Sequence, residues 1–130
     1  MQFCDSSTCP TVVSGRLDFM CTELRDGRFV VSVSWRDFQD NLGEGTVVTQ
    51  SEDSALYWFF QPSNWELLVK VLDGCGINQH QWVFVAATTN VEFTLRVHDR
   101  DTGLERSYFN PLGTAAPAIN DTEAFASCAP

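Results

Sequence analysis

The run Phe29-Val30-Val31-Ser32-Val33-Ser34-Trp35 decides the fold class. In an extended chain Phe29, Val31, Val33 and Trp35 fall on one side, and Val30, Ser32 and Ser34 on the other. A period of two marks a half-buried β-strand, because strand side chains alternate between faces, whereas apolar positions in a helix recur every three or four residues. The same period returns at Val91, Phe93, Leu95 and Val97, which alternate with Glu92, Thr94, Arg96 and His98. Trp65, Leu67, Val69 and Val71 share one face of another segment. Gln81 to Ala87 puts Trp82 and Phe84 on one side and Val83 and Val85 on the other, and Ala55 to Phe60 is apolar on both faces.

Between these segments stand turn signals: Arg25-Asp26-Gly27, Pro62-Ser63-Asn64, Asp73-Gly74-Cys75-Gly76 and Asp99-Arg100-Asp101-Thr102-Gly103. Glycine supplies the positive φ that such turns require. Thr11 to Thr22 and Leu104 to Asn110 read as further strands. Asp40 to Gly45 reads as a polar loop. Ala115 to Pro130 reads as a small, polar tail in which Asp121 to Ala126 could form a short helical turn. Short strands separated by regular turns predict an all-β protein, an antiparallel β-sandwich of immunoglobulin-like architecture with seven to eight strands. Residues 1–10 are expected to be an N-terminal tail and residues 11–130 a single domain.

A chain of 130 residues with 44% hydrophobic and 12% aromatic content can close a core of its own. Seventeen acidic against eight basic residues leave a net charge of −9. Phosphate backbones and anionic lipid surfaces would repel it, so no nucleic-acid partner is expected. No apolar run approaches the roughly 20 residues of a membrane-spanning helix, so no membrane span is expected. Met1-Gln2-Phe3-Cys4-Asp5 lacks the basic start and apolar run of a signal peptide. Cys4, Cys9, Cys21, Cys75 and Cys128 form no C-x-x-C pair, and their spread over the chain points to a disulfide framework in a secreted or cell-surface protein. Cys128 could clamp to Cys4 or Cys9, Cys4 could bridge locally to Cys9, and Cys21 and Cys75 each flank an apolar strand. With an odd count, at least one thiol is free or pairs elsewhere.

Chemistry-bearing residues are few. His80 lies in a polar loop and His98 on the wet face of a strand beside Asp99, but no nucleophile motif accompanies either. No catalytic residue is assigned, and the chain is not expected to be an enzyme. Asp99 and Asp101, ahead of Gly103, superficially resemble an oxygen-rich calcium loop, although the alternating ligands and the distal bidentate Glu are missing. Asp37, Asp40, Asn41 and Glu44 form a second acidic cluster on a longer loop. Weak calcium is the single cofactor these clusters could take; otherwise none is implied. Tyr57, Trp58, His80 and Trp82 are the candidate binding surface, since aromatic faces stack on sugars and exposed aromatic patches mark contact sites. Trp35 and Trp65 belong to the same tryptophan set, whose bland role is core. Asn120-Asp121-Thr122 fits the N-glycosylation triplet.

Several motifs together carry a resemblance. They are Asp26-Gly27-Arg28-Phe29, Trp35-Arg36-Asp37-Phe38, Tyr57-Trp58-Phe59-Phe60, the run Glu66 to Cys75, Trp82-Val83-Phe84, Asp101-Thr102-Gly103 and Tyr108 to Gly113. Over about residues 20–126 the chain resembles a β-sandwich module carried by secreted or surface multidomain proteins of environmental bacteria. The resemblance implies an extracellular setting beside proteases, repeat domains or other β modules, and no particular activity. The expected function is a non-catalytic extracellular binding module for a protein or glycan ligand, contacting it through the loops Asp37 to Gly45 and Asn78 to Gln81. Two alternatives stand beside it. One is a structural subunit of an extracellular filament or surface assembly, which would make it a homo-oligomer through strand addition. The other is a protease inhibitor or accessory domain.

Overall fold

In the computed structural model Phe29 to Trp35 is a strand that places Phe29, Val31 and Val33 in the core, while Val30 on its other side is buried as well and Trp35 is half-buried. The model describes residues 21–128. Strand β2 (Phe29–Arg36) buries Phe29, Val31 and Val33 and leaves Ser32 and Ser34 half-exposed. It pairs along its whole length, antiparallel, with β8 (Glu92–Asp99), so that Val31 lies beside Val97 and Val33 beside Leu95. β1 (Cys21–Leu24) and β3 (Leu42–Glu44) share the outer edge of β2, and β9 (Glu105–Asn110) flanks β8. The second sheet runs in the order β10-β7-β6-β5-β4, from β10 (Ile119–Phe125) through β7 (His80–Ala87), β6 (Trp65–Gly74) and β5 (Ser54–Trp58) to β4 (Thr46–Gln50). Both sheets are antiparallel. Val69 faces Val85 and Val71 faces Val83, and these side chains join those of β2 and β8 in one apolar cluster. Each large side chain fully buried there contributes roughly 1.5–3 kcal/mol.

Two polar features tie the sheets together. Tyr57, fully buried on β5, reaches across the core, where its hydroxyl lies 2.6 Å from Thr22 Oγ1 on β1 and 3.4 Å from the Val31 carbonyl oxygen. Burial holds its phenol well above the usual range. At the end of β8, Asp99 is completely buried. Arg28 forks onto it, Nε to Oδ1 at 3.0 Å and Nη2 to Oδ2 at 3.1 Å. The Ser127 hydroxyl donates to Oδ2 at 2.7 Å and the Asp101 amide to Oδ1 at 3.0 Å. Burial pushes the Asp99 carboxyl up, but Arg28, Ser127 and the Asp101 amide together hold it below the usual carboxylate range.

The chain passes from the first sheet to the second at Gly45. Its amide bonds to the Val33 carbonyl at 2.8 Å, and a Cβ there would fall 2.3 Å from Val33 Cγ1. Only glycine permits that approach. Two of the four turn signals carry the positive φ expected of them: Arg25, Asp26 and Gly27 all take it, as does Gly103.

The described residues hold ten strands where seven to eight were expected. Leu42–Glu44 falls within Asp40 to Gly45, expected to be a loop, because a three-residue strand defined only by its partner leaves no alternation to read, and Thr46–Gln50 adds a strand to which the sequence assigned no element. Ile119–Phe125 is a strand and not a helical turn. It pairs with β7 through a bulge after Asp121, which buries Ala124 and Phe125 in succession and hides the period of two. The short helix is instead α1 (Cys75–Asn78). The first described strand begins at Cys21, so most of the segment 11–22 lies outside the described residues, as does the tail 1–10.

Cys128 pairs with Cys75, not with Cys4 or Cys9, across a Cα–Cα distance of 5.8 Å. The bond carries the C-terminal segment onto α1 of the second sheet, while Ser127 beside it is held by Asp99 of the first. Cys21 is also oxidised, and no cysteine among the described residues is free. Cys4 and Cys9 lie outside them. With its partners 53 positions apart, the Cys75–Cys128 bond is worth about 4 kcal/mol in the chain-entropy model. Replacing both cysteines by serine is expected to lower the unfolding free energy by about that amount in a denaturant titration. An unchanged midpoint would show that the bond contributes nothing.

Candidate functional site

Residues of the two sheets that point away from the core differ in kind. On the first sheet they are Ser32, Ser34 and Arg36 of β2 beside Arg96, Thr94 and Glu92 of β8, with Val30, Leu42 and Phe109 as separate apolar members at its edges and ends. On the second sheet, Leu56, Leu68 and Ala86 stand side by side on three neighbouring strands, with Leu72 beside Trp82 and Lys70 beside Phe84. Leu68 is 38% exposed, and the others are half-buried or exposed. Lys70 Nζ lies 5.6 Å from the centroid of the Phe84 ring, and the Trp82 and Phe84 centroids are 5.9 Å apart. An outward sheet face ordinarily carries the polar half of the alternation. This one is apolar at its centre around a single ammonium group, with Asn120, Ser54 and Thr49 at its margins.

The candidate binding residues divide accordingly. Trp82 belongs to this face. Its ring lies across Gly74, where a Cβ would fall 2.1 Å from the indole nitrogen, and Nε1 donates to Asn78 Oδ1 at 2.8 Å. His80 is half-buried, with Nδ1 2.8 Å from the Asn78 carbonyl oxygen. Trp58 is half-buried at the end of β5. Tyr57, expected on the surface, is instead a core residue with no exposed area, because neighbours on a strand face opposite sides and Tyr57 takes the inner one. Of the remaining tryptophans, Trp65 is 54% exposed. Trp35 packs against Phe60 with centroids 4.6 Å apart, and its buried Nε1 makes no hydrogen bond.

The acidic candidates are engaged by protein groups. Asp37 Oδ1 accepts the amides of Gln39 and Asn41, and its Oδ2 accepts Asn41 Nδ2. The Asn41 side chain is the main cause holding the Asp37 carboxyl below its usual range. Asp40 pairs with Arg36, which also forks onto Glu92 at 3.1 and 2.9 Å and lowers that carboxyl. Glu44 lines a trough of about 370 Å³ beside Trp35, Leu42 and this Arg36–Glu92 pair. Asp101 lies 3.3 Å from Arg28, and Asp99 belongs to the buried network. Among the described residues, no group of three or more His, Cys, Asp or Glu side chains gathers to hold a metal ion. His98 Nδ1 lies 3.8 Å from Glu105. No helix among the described residues is long and apolar enough to cross a membrane.

One polar residue escaped the sequence reading. Glu66, at the start of β6, is only 5% exposed. Its Oε2 accepts Asn64 Nδ2 at 3.3 Å. Burial raises its carboxyl, and a hydrogen bond from Thr89 works against the rise. In the sequence Glu66 occupies a solvent-facing slot of an alternating strand. Opposite the step from Tyr57 to Trp58, β6 carries one extra residue, Glu66, which is buried beside Leu67 while Trp65 is left exposed, and no local pattern marks that bulge. Glu66 lines an open cleft of about 510 Å³ at one end of the two sheets, with Phe60, Asn64, Thr88, Thr89 and Asn90 among its walls.

Comparison of the chain with protein-family models, with curated proteins and with solved structures finds no match.

Because its folded-state affinity for a proton is raised, Glu66 favours the native state at low pH. It forfeits that contribution as pH rises from the usual glutamate range through the raised folded value. Glu66→Gln removes the titration. The stability of the variant relative to the wild type is therefore expected to climb across that interval and then level off, in thermal melts between about pH 3 and 8. A difference independent of pH would contradict the raised carboxyl.

Proposed function

We propose that the chain is a non-catalytic, extracellular interaction module, an immunoglobulin-like β-sandwich secreted or displayed at the cell surface. On this reading it engages a protein partner through the outward face of the β10-β7-β6-β5-β4 sheet. The observation that carries the proposal is the apolar character of that face: Leu56, Leu68, Leu72, Trp82 and Phe84 project where a solvated sheet would place polar side chains. Oxidised cysteines support an oxidising compartment. The resemblance to surface modules of environmental bacteria agrees with it.

The partner's chemistry follows from the charge. Lys70 is the sole lysine of a chain whose net charge is −9, and it stands within the apolar face. The complementary surface is apolar with a carboxylate placed opposite Lys70. A second copy docked about a two-fold axis through Lys70 would set two ammonium groups against each other, which favours a different protein over self-assembly.

The test uses the native protein and a Leu68→Lys/Lys70→Glu variant as baits on the culture supernatant and envelope proteins of the source cell. Both sites are on the outward face, so the fold should change in stability by no more than about 0.5 kcal/mol. The proposal expects a partner held by the wild type and lost by the variant, with both proteins monomeric at high concentration by light scattering. The same bound set for both, or an oligomer that the variant dissolves, would overturn it, the latter in favour of a filament or surface-assembly subunit.

A further inference from the structure

The cleft around Glu66 lies at an end of the sheets, apart from the apolar face, and its chemistry is different. Its walls combine three kinds of group. Glu66 supplies a carboxylate that is 5% exposed and already oriented by Asn64 and Thr89. Asn64, Thr88 and Asn90 supply exposed amides and a hydroxyl. Phe60 supplies an aromatic ring, 39% exposed and braced by the edge of Trp35. The backbone beneath is fixed: the Thr89 carbonyl accepts the Ala116 amide at 3.0 Å and the Asn90 carbonyl accepts the Gly113 amide at 2.8 Å. The volume of about 510 Å³ falls within the range of small-ligand sites.

This combination fits one ligand class better than its rivals. An anion would meet Glu66 and the negative field of the whole chain. The Thr88 hydroxyl already donates to the Trp65 carbonyl at 3.2 Å and one Asn64 amide hydrogen to Glu66; an ammonium or polyamine offers only donors, and would leave the Asn90 amide and the second Asn64 amide hydrogen without a use. A neutral sugar ring carries hydroxyls that both donate and accept, and an apolar C–H face. Vicinal hydroxyls can donate to the two oxygens of a carboxylate and accept from a side-chain amide, while the C–H face covers an aromatic ring.

We infer that the cleft lined by Phe60, Asn64, Glu66, Thr88 and Asn90 binds a neutral pyranose unit of a glycan. Glu66 is the central acceptor, Asn64 and Asn90 are the flanking donors, and Phe60 is the apolar floor. The site goes beyond the protein-binding face proposed above and does not depend on it. A module with both would hold a protein by its flat side and a saccharide at its end.

The experiment titrates the native protein with neutral methyl pyranosides of gluco, galacto and manno configuration, followed by amide shifts in ¹H–¹⁵N spectra. Spermidine and a methyl uronide serve as charged controls. An open cleft of this kind predicts a Kd of about 1 mM for at least one neutral sugar. The shifts should centre on Asn64, Thr88, Thr89, Asn90 and Ala116. Glu66→Gln keeps the shape and the acceptor used by Asn64 but removes the charge, and should weaken binding about tenfold, the difference between a charged and a neutral acceptor. Asn90→Ala, at an exposed position, provides a second variant expected to weaken it with no effect on the fold. Leu68→Lys/Lys70→Glu should bind sugar as the wild type does, so that loss of the protein partner and loss of the sugar are read separately. No saturable neutral sugar, shifts produced by spermidine or the uronide alone, or unchanged affinity in both Glu66→Gln and Asn90→Ala would overturn the inference.

Discussion

Asp99 imposes the constraint on which the rest of the molecule depends, because it is an ionised group with no exposed area. A carboxylate taken out of water is tolerated only when charge and hydrogen bonds replace the lost solvation. Arg28 supplies the charge, from the far side of the β1–β2 turn. The Asp101 amide supplies a donor from the β8–β9 turn, and Ser127 supplies another from the C-terminal segment. Three stretches far apart in the chain therefore meet at one carboxyl. Arg28 is further fixed by the Phe29 ring, 5.0 Å from its guanidinium carbon, and by the Ser127 carbonyl. The next residue but one to Asp99's donor amide in the turn is Gly103, whose amide bonds back to the Asp99 carbonyl at 2.8 Å. One residue beyond Ser127, Cys128 is bonded to Cys75 behind β6. The C-terminal segment is thus held to the first sheet by a buried ion pair and to the second by a covalent bond.

The fold class was legible where the physical signal is local. In Val91 to Val97 the side chains that alternate in sequence alternate in burial, Val31 to Ser34 does the same while Val30 is buried on the other face, and the turns at Gly27 and Gly103 take the positive φ that their residues announce. Signals carried by distant partners were not legible. Asp99 looked like one more acid in an acidic turn because Arg28 lies 71 residues away. The partner of Cys128 could not be chosen from spacing, since it depends on where the C-terminal segment runs. β3 and β10 owe their existence to the strands they pair with, and Gly45 gives no hint in sequence that the chain changes sheets there. At the candidate sites, the apolar character of β5 and β7 on both faces was visible, and Trp82 lies on the outward side of the second sheet. That character could not say that Tyr57 would turn inward. Glu66 was invisible for the reason that hides any residue at a register shift: its neighbours still alternate.

A rigid frame with unlike surfaces follows from these elements. The outward face of the first sheet is polar at its centre, where Arg36 pairs with Glu92, and exposes Leu42 and Phe109 at its edges. The outward face of the second is apolar around Lys70. The end of the sheets near Phe60 combines a buried carboxyl with amides and an aromatic ring. The core fixes the backbone beneath all three, so each surface is presented in a set geometry and binding there need not order a loop.

The most direct test is the titration of the Asp99 carboxyl, followed by side-chain ¹³C NMR through the acid range. Since its folded value is lowered, Asp99 stabilises the native state above the ordinary aspartate range and loses that contribution as pH falls through the folded value. The expected result is a carboxyl that stays ionised below the usual aspartate value of about 3.9, with the loss of native signals following its protonation. An Asp99 that titrates at or above that ordinary value in the folded protein would contradict the account.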